Sequence, residues 1–398
     1  MDFSTVELAP EQSAFLEEVR DFLDEVMIPG VHEHERSTGD GFHEEVHRAL
    51  GARGWLFPSW PTEEGGAGLD PVRRRILALE LERYRVPHVT LSTTALVWAA
   101  VARFAEPALA AELKPGVAAG GVRFCLGYSD PEGGSDIAAT YLRAVREGED
   151  WILNGAKMFT TGAHNCQYTF LVTRTDASAP KHKGLTMFLV PLALPGVEIQ
   201  AIRTYGGERT NAVYYTDVRV PDRYRLGEVN EGWGVLRGPL DAEHGAGRET
   251  DGLSDVCQGR VFLWEFERAL EATIGWARRS VRPDGTPVAD DPAFLDRLGR
   301  QIVELEAAVV TPGPMGRIKG SLTLIEGVAE LVDLVGPEAL LAYSADGAPA
   351  AGELDFAHRW AQGTATYGGT IEVFKNIVAQ HVLGLPRATY PGSKALVR

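Results

Sequence analysis

Apolar positions change their period twice along the chain. Over roughly the first 120 residues they recur at helical spacing, and Phe15, Leu16, Val19, Phe22, Leu23 and Val26 form one stripe behind Pro10, which suits a first helical turn. "FHEEVHRALGARGW" and "RRRILALELERY" continue that style. From about Cys125 to Gly232 the runs shorten. "DWILNGAKMFTT", "YTFLVTRTD", "LTMFLVPL", "VEIQAIRTY" and "AVYYTDVRVP" follow one another between Gly, Pro and polar turns and read as strands. Asn154-Gly155 lies between two such runs and predicts a hairpin turn. After Trp233 helical spacing returns in "VFLWEFERALEATIGWARR", "AFLDRLGRQIVELEAAVV" and "GSLTLIEGVAELVDLVG", each long enough for a bundle. Near the end, Ile371, Phe374, Ile377, Val378, Val382 and Leu385 form a last stripe, so Gly368 and Gly369 stand just before a helix with Thr370 as its N-cap.

The expected fold is therefore α+β in three parts: a helical domain over 1–124, a β domain over 125–232 and a helical bundle over 233–398. Helices and strands do not alternate, which argues against a Rossmann sheet. "GAGRET" at 245–250 lacks both the last glycine and the preceding strand of a dinucleotide fingerprint.

Composition narrows the function classes. A chain of 398 residues exceeds one ordinary core, and 44% hydrophobic with 24% charged residues is usual for a soluble globular protein. A formal charge of −16 argues against nucleic acid or an anionic membrane as the main partner. It leaves room for a phosphate-bearing ligand, because a local cluster of donors overrides net charge. Cys125, Cys166 and Cys257 show no metal-ligand spacing and read as reduced core residues. The opening "MDFSTVELAPEQSAFLEEVRDFL" is acidic and carries no signal-peptide pattern. No run of about 18 apolar residues occurs, so no membrane span is expected and the location expected is cytoplasmic.

One motif points elsewhere. "HEEVH" at 43–47 matches H-E-x-x-H, which on a helix binds zinc with the glutamate, here Glu44, as general base. The plain reading places Glu44, Glu45, His47 and Arg48 on the solvated side of an amphipathic helix, with Phe42, Val46 and Leu50 opposite. The expectation is no metal site.

Four stretches in order carry a resemblance: "CLGYSDPEGGSD" at 125–136, "WILNGAKMFTTGA" at 151–163, "GGERTNAVYYTDVRVPDRYRLGEVNEGW" at 206–233 and "YGGTIEVFKNIVAQHVLGLPR" at 367–387. Together they resemble the acyl-CoA dehydrogenase family over nearly the whole chain, with an actinobacterial look. The resemblance implies a helical N-terminal domain, a middle β domain and a C-terminal four-helix bundle. It implies bound FAD, oxidation of an acyl-CoA thioester to the trans-2-enoyl-CoA, and electron transfer to an electron-transfer flavoprotein. It also implies a homo-oligomer built as a dimer of dimers, or pairing with a paralogous subunit.

By that similarity Leu126, Tyr128 and Ser129 lie along the flavin, where donors stabilise the charge that develops on its N1/O2 edge. Phe159 stands where the family commonly has a tryptophan packed on the flavin, and Thr161 follows near N5. Without the motif, Phe159 would be an ordinary residue of the β core. Thr370 and Glu372 resemble contacts to the ribityl and adenosine portions, Asp333 and Gly336 those to the adenine end, and Arg282 an arginine on the pyrophosphate. The last fit is imperfect: strict alignment places Val281 there, and Asp284 replaces a usual phenylalanine. Ser135, near the CoA chain or the FAD phosphates, with Asp241, His244 and Gly369, falls along the substrate.

The reaction needs a carboxylate to take the α-proton. Many family members carry it immediately before the Gly-Thr of the last motif, where this chain has Gly368. In the isovaleryl and long-chain branches a glutamate on the first helix of the C-terminal domain is the base, and Glu243 matches it. Gly368 keeps the backbone N–H that, in the family, binds the thioester carbonyl. One departure is His244, where the family usually has arginine; Arg248 lies one turn further on. Two other readings remain beside the dehydrogenase: a non-catalytic partner subunit of a hetero-oligomer, and a related flavin oxidase or monooxygenase.

Overall fold

The computed structural model describes residues 7–243, 258–343 and 345–386, with the backbone alone at 241–243 and 258. The chain divides into two compact units, Met1–Val256 and Cys257–Arg398.

The first unit opens with helices α1 (Pro10–Val26), α2 (Pro29–Thr38), α3 (Glu44–Ala52), α4 (Pro71–Arg83), α5 (Val89–Phe104) and α6 (Pro107–Ala118). Four of these six begin on proline, whose fixed φ suits a first turn and whose missing N–H costs nothing there. Asp70 completes the start of α4 by accepting from Val72 N–H at 2.9 Å and Arg73 N–H at 3.1 Å. The stripe expected on α1 buries Phe15, Val19, Phe22 and Leu23.

Among the described residues, strands β1 (Phe124–Gly127), β2 (Arg143–Glu147), β3 (Asp150–Lys157), β4 (Tyr168–Arg174), β5 (Leu185–Pro191), β6 (Val197–Arg203), β7 (Arg209–Pro221) and β8 (Arg225–Leu226) make one sheet. Its order is β6-β7-β3-β2-β4-β5-β8, with β1 added parallel to β4. Side chains alternate across the central strands. Phe170, Val172, Leu185, Met187 and Leu189 join the core shared with the helices, whereas Leu171, Phe188 and Val190 join a second core with Trp151, Leu153, Val213 and Tyr215. Both faces of β4 and β5 are thus covered, which explains their unbroken apolar runs.

The hairpin expected at Asn154-Gly155 is not there. β3 runs straight through, with a bulge between Leu153 and Gly155 against β7. Asn154 Nδ2 donates to Asp217 Oδ1 at 2.9 Å and Asp217 N–H donates back to Asn154 Oδ1 at 2.9 Å, replacing ladder bonds at the bulge. Gly155 is required there: its φ is +142°, and a Cβ would stand 2.9 Å from Leu142 Cα. The hairpin loop is Gly148-Glu149, which joins β2 to β3.

Helix α7 (Gly232–Glu243) closes the first unit. Val235 and Leu236 are buried in the same core as α1, β4 and β5, so α7 packs with the first unit rather than opening the second as the expected boundary at 232/233 implied. The second unit holds α8 (Gln258–Ala277), α9 (Pro292–Val309), α10 (Gly313–Val335), α11 (Glu353–Ala361) and α12 (Ile371–Ile377). Helices α8 to α11 pack around Phe266, Leu324, Val328, Leu331, Leu354 and Ala357, and α12 lies along α10. α8 and α10 approach closely because Gly259 meets Gly316: a Cβ on Gly259 would stand 2.5 Å from the Gly316 carbonyl oxygen. Among the described residues no helix is long and apolar enough to cross a membrane. Cys125 and Cys166 are buried free thiols; Cys257, like the 245–250 stretch, lies outside the described residues.

The H-E-x-x-H stretch follows its plain reading except at His47: Glu44, Glu45 and Arg48 are exposed, and Phe42, Val46 and Leu50 are buried. His43 is the N-cap of α3 and its ring meets that of His34 edge-on at 5.3 Å. Glu44 accepts from Arg48 Nε at 2.7 Å and pairs with Arg123 at 3.0 Å. Burial pushes its carboxyl up, but Arg48 and Arg123 outweigh that and hold it below the ordinary range. A carboxylate held by two guanidinium groups is a poor proton acceptor. His47, expected on the solvated side, is buried at 3% exposure against Phe42. Burial first, then the Arg123 guanidinium, lowers its pKa from 6.5 to about 4.

The consequence is measurable. As pH falls below about 6.5, unfolded chains protonate this histidine before folded ones do. Its contribution is complete above that pH and is lost progressively toward about 4, by up to about 1.4 kcal/mol per pH unit. Urea midpoints at several pH values should fall more steeply for wild type than for His47→Leu; equal slopes would assign the acid sensitivity to another group.

Candidate functional site

Candidate residues gather in one place in each unit. In the first unit they form a ledge where β1 and β3 end. The lysine that closes β3, Lys157, is fully buried and donates from Nζ to Asp130 Oδ1 at 2.5 Å, to Thr140 Oγ1 at 2.7 Å and to the Tyr128 carbonyl at 3.2 Å. Burial lowers its ammonium to about 8, with Asp130 pulling it back up. Asp130 also accepts from Thr140 Oγ1 and from Tyr141 N–H, and its backbone closes on Gly133 at 3.0 and 3.2 Å. The exposed turn 131–136, which carries Ser135, is therefore pinned at both ends by one buried ion pair.

Directly after Lys157 the chain turns outward. Met158 N–H donates to the Ser129 carbonyl at 2.8 Å, Thr160 N–H donates to the Asn211 carbonyl at 2.9 Å, and Asn211 Nδ2 donates to the Thr160 carbonyl at 3.0 Å. Between those anchors Phe159 has φ +57° and is 64% exposed. A phenylalanine in left-handed conformation costs roughly 1–2 kcal/mol, and its exposed ring adds a hydrophobic cost. Neither cost serves the fold, so the ordinary β-core reading of Phe159 fails. Such strain persists where neighbours over-determine it and a function uses it. Thr161 follows with its hydroxyl 3.0 Å from that of Thr210. Tyr128, buried at 9% exposure, packs edge-on against Phe170 at 6.0 Å, and Leu126 and Ser129 are half-buried beside it.

In the second unit the focus is the approach to α12. Gly368 and Gly369 have φ of +63° and +88°, and Thr370 caps the helix by accepting from Val373 N–H at 3.2 Å. Glu372 is exposed in the first turn. Under this loop lies Arg317, only 1% exposed. Its Nη2 faces the carbonyl oxygens of Thr364 at 2.8 Å, Tyr367 at 2.7 Å and Gly369 at 3.2 Å, and Nη1 donates to Ser321 Oγ. The guanidinium lies between the rings of Phe262, at 4.7 Å, and Phe374, at 5.3 Å.

Other expected contacts are engaged elsewhere. Arg282 is ion-paired with Asp291 in an exposed turn, and Asp333 accepts from Arg297 at 2.6 Å. Gly336 caps α10 with φ +81°. Glu243 is the last residue of α7; its side chain and that of Asp241 are not described, and His244 and Arg248 lie outside the described residues.

Sequence reasoning missed Asp130, Lys157 and Arg317. Each had a faint signal. Lysine at the end of a buried strand needs an internal partner. Arginine at 317 occupies the apolar stripe that Leu324, Val328, Leu331 and Val335 continue.

An exposed aromatic beside hydroxyls and backbone donors is a fit for a planar, hydrogen-bonding cofactor ring. The glycine loop can present backbone N–H groups to an oxygen.

Similarity to known proteins extends over most of the chain. Two family profiles match: acyl-CoA dehydrogenase, N-terminal domain, over 9–121, and acyl-CoA dehydrogenase, middle domain, over 125–218. The acyl-CoA dehydrogenase FadE26 of Mycobacterium tuberculosis is 28% identical over 96% of this chain and 99% of its own. The acyl-CoA dehydrogenase IpdE1 of the same organism is 31% identical over 86% of this chain and 87% of its own. Among solved structures, a chain of the ChsE4-ChsE5 complex from Mycobacterium tuberculosis superposes with TM-score 0.82 at 27% identity, over 97% of this chain and 100% of that one.

The buried ion pair of the ledge can be tested by itself. Asp130→Asn and Lys157→Met each leave one charge buried without its partner and should destabilise the protein by about 3–5 kcal/mol. The double variant should lose clearly less than the sum of the two in urea unfolding. Strict additivity would mean that the two groups act independently.

Proposed function

The chain belongs to the acyl-CoA dehydrogenase family, and from that premise we propose that it converts an acyl-CoA thioester to the trans-2-enoyl-CoA with FAD as its cofactor. The observation that carries the cofactor assignment is Phe159, an exposed ring on a locked left-handed corner. That ring would pack on the flavin, the Thr161 hydroxyl and the Ser129 backbone would bind its polar edge, and Thr370 and Glu372 would hold the ribityl and adenosine portions. When bound, FAD would supply the acceptor for the β-hydrogen as hydride, with the electrons going on, in this reading, to an electron-transfer flavoprotein.

The α-proton goes to the Glu243 carboxylate. Gly368 supports this relocation: at φ +63° a glutamate would carry a strain of roughly 1–2 kcal/mol that glycine avoids. Glycine there retains its N–H, which donates to the thioester carbonyl and acidifies the α-proton. The bound acyl chain desolvates Glu243 and lifts its pKa toward the working pH, which makes it an efficient base. Arg282 would serve the pyrophosphate, and Asp333 the adenine end, only by exchanging Asp291 and Arg297 for the nucleotide.

A second reading has a specific observation behind it. A matched structure is a complex of two named components, ChsE4 and ChsE5. In that reading this chain pairs with a paralogous subunit and completes the partner's site instead of its own.

Purified protein separates the two. Under the first reading the chain alone is yellow, an acyl-CoA bleaches it anaerobically, and Glu243→Gln abolishes bleaching with FAD still bound. A Glu243→Gln variant that bleaches at the normal rate sinks the assignment of the base. Flavin retained only in the presence of a second subunit favours the paired reading. Fast reoxidation by air would point to an oxidase.

A further inference from the structure

Arg317 takes no part in the reaction as drawn above, yet the structure spends a buried cation on it. It sits on the apolar stripe of α10, where a leucine or methionine would close the core at a smaller desolvation cost. Stability is therefore a weak reason for a guanidinium at 1% exposure. What the guanidinium does that an apolar side chain does not is bind carbonyl oxygens on the glycine loop, at 2.7 Å for Tyr367 and 3.2 Å for Gly369.

The carbonyl of Tyr367 belongs to the same peptide unit as the N–H of Gly368. That unit is conjugated, so a charged donor on its oxygen draws electron density from its nitrogen and strengthens the N–H as a donor. The contact also fixes the plane in which the N–H points. Glycine at 368, followed by glycine at 369, has no side chain to hold that plane. Bonds to the carbonyls on either side, Tyr367 and Gly369, supply the restraint. Stacking between Phe262 and Phe374 holds the flat guanidinium in place, which a lysine ammonium would not match.

We propose that Arg317 is a positioning residue that orients and polarises the Tyr367–Gly368 peptide, so that the Gly368 N–H is a strong donor to the thioester carbonyl. This rests on the reading of Gly368 given under the proposed function. It adds that the acidity of the substrate's α-proton is set from beneath the loop, by a side chain that touches neither substrate nor cofactor.

Two measurements test it. The chain contains two Tyr-Gly pairs, Tyr205-Gly206 and Tyr367-Gly368, so carbonyl-¹³C tyrosine with ¹⁵N-glycine yields two selected amide signals. Tyr205→Phe removes one and identifies the other. The second measurement uses acetyl-CoA, which has α-protons and a thioester but no β-carbon to give up hydride. Its α-hydrogen exchange in deuterium oxide reports proton removal without oxidation. Arg317→Met should move the Gly368 amide proton upfield, leave the Gly206 signal in place, and slow exchange about three- to tenfold. Acetyl-CoA affinity should change by less than about twofold, and Arg317→Lys should recover part of both effects. Should Arg317→Met not fold, Arg317→Lys against wild type carries the same comparison.

An unmoved Gly368 signal in the variant overturns the proposal. So does a parallel collapse of affinity and exchange that lysine fails to relieve, since that marks a purely structural clamp. If wild type itself exchanges no faster than buffer while the Gly368 signal still responds to Arg317, the thioester role of Gly368 has failed, and the polarised peptide stands without that use.

Discussion

A lysine ammonium that closes a strand inside a packed core has to find charge and oxygen there, and the ledge of this protein is organised by that requirement. Lys157 meets Asp130, Thr140 and the Tyr128 carbonyl, all three from the segment that leaves β1 and returns at β2. An isolated buried ammonium costs several kcal/mol, so the segment cannot drift without exposing that cost. Its exposed turn is anchored by chemistry beneath the surface, and the next residues of β3 are delivered at a fixed place. Phe159 inherits its strained conformation from that fixed place, because both neighbouring peptides are already bonded.

The second unit uses the same device with a different cation. Its glycine loop has no side chains to stiffen it, and Arg317 supplies from below what the loop lacks. In both cases backbone groups that leave regular structure are satisfied by a buried cation rather than by water. Loops meant to meet a ligand benefit from this arrangement, since water does not compete for the carbonyls and the N–H groups remain available. It is a form of preorganisation: the donors are aimed before anything binds.

Much of the architecture was legible from periodicity. The α-β-α order, the stripe on α1, the Thr370 cap and the bundle helices follow from local spacing and cap chemistry, which act over a few residues. The readings that failed depended on partners far away. Asn154-Gly155 carries a strong turn signal, but β7 accepts it as a bulge because Asp217 bonds the asparagine side chain. His47 looked solvated on its own helix, and became buried when Gly120 and Phe42 closed over it. Helix α7 read as the start of the bundle, and its apolar residues found the first unit's core instead.

Family membership and the candidate carboxylate were readable because they reside in short motifs, whose residues keep their order whatever the packing. The absence of a side chain at 368 was equally readable, and with it the search for a base at Glu243. Only the tertiary structure decided how the ledge and the glycine loop are held. The partners of Lys157 lie 17 to 29 positions from it, and those of Arg317 up to 52 positions away. No local pattern encodes which carbonyl a buried cation will meet, because that depends on how strands and helices stack once the whole core has formed.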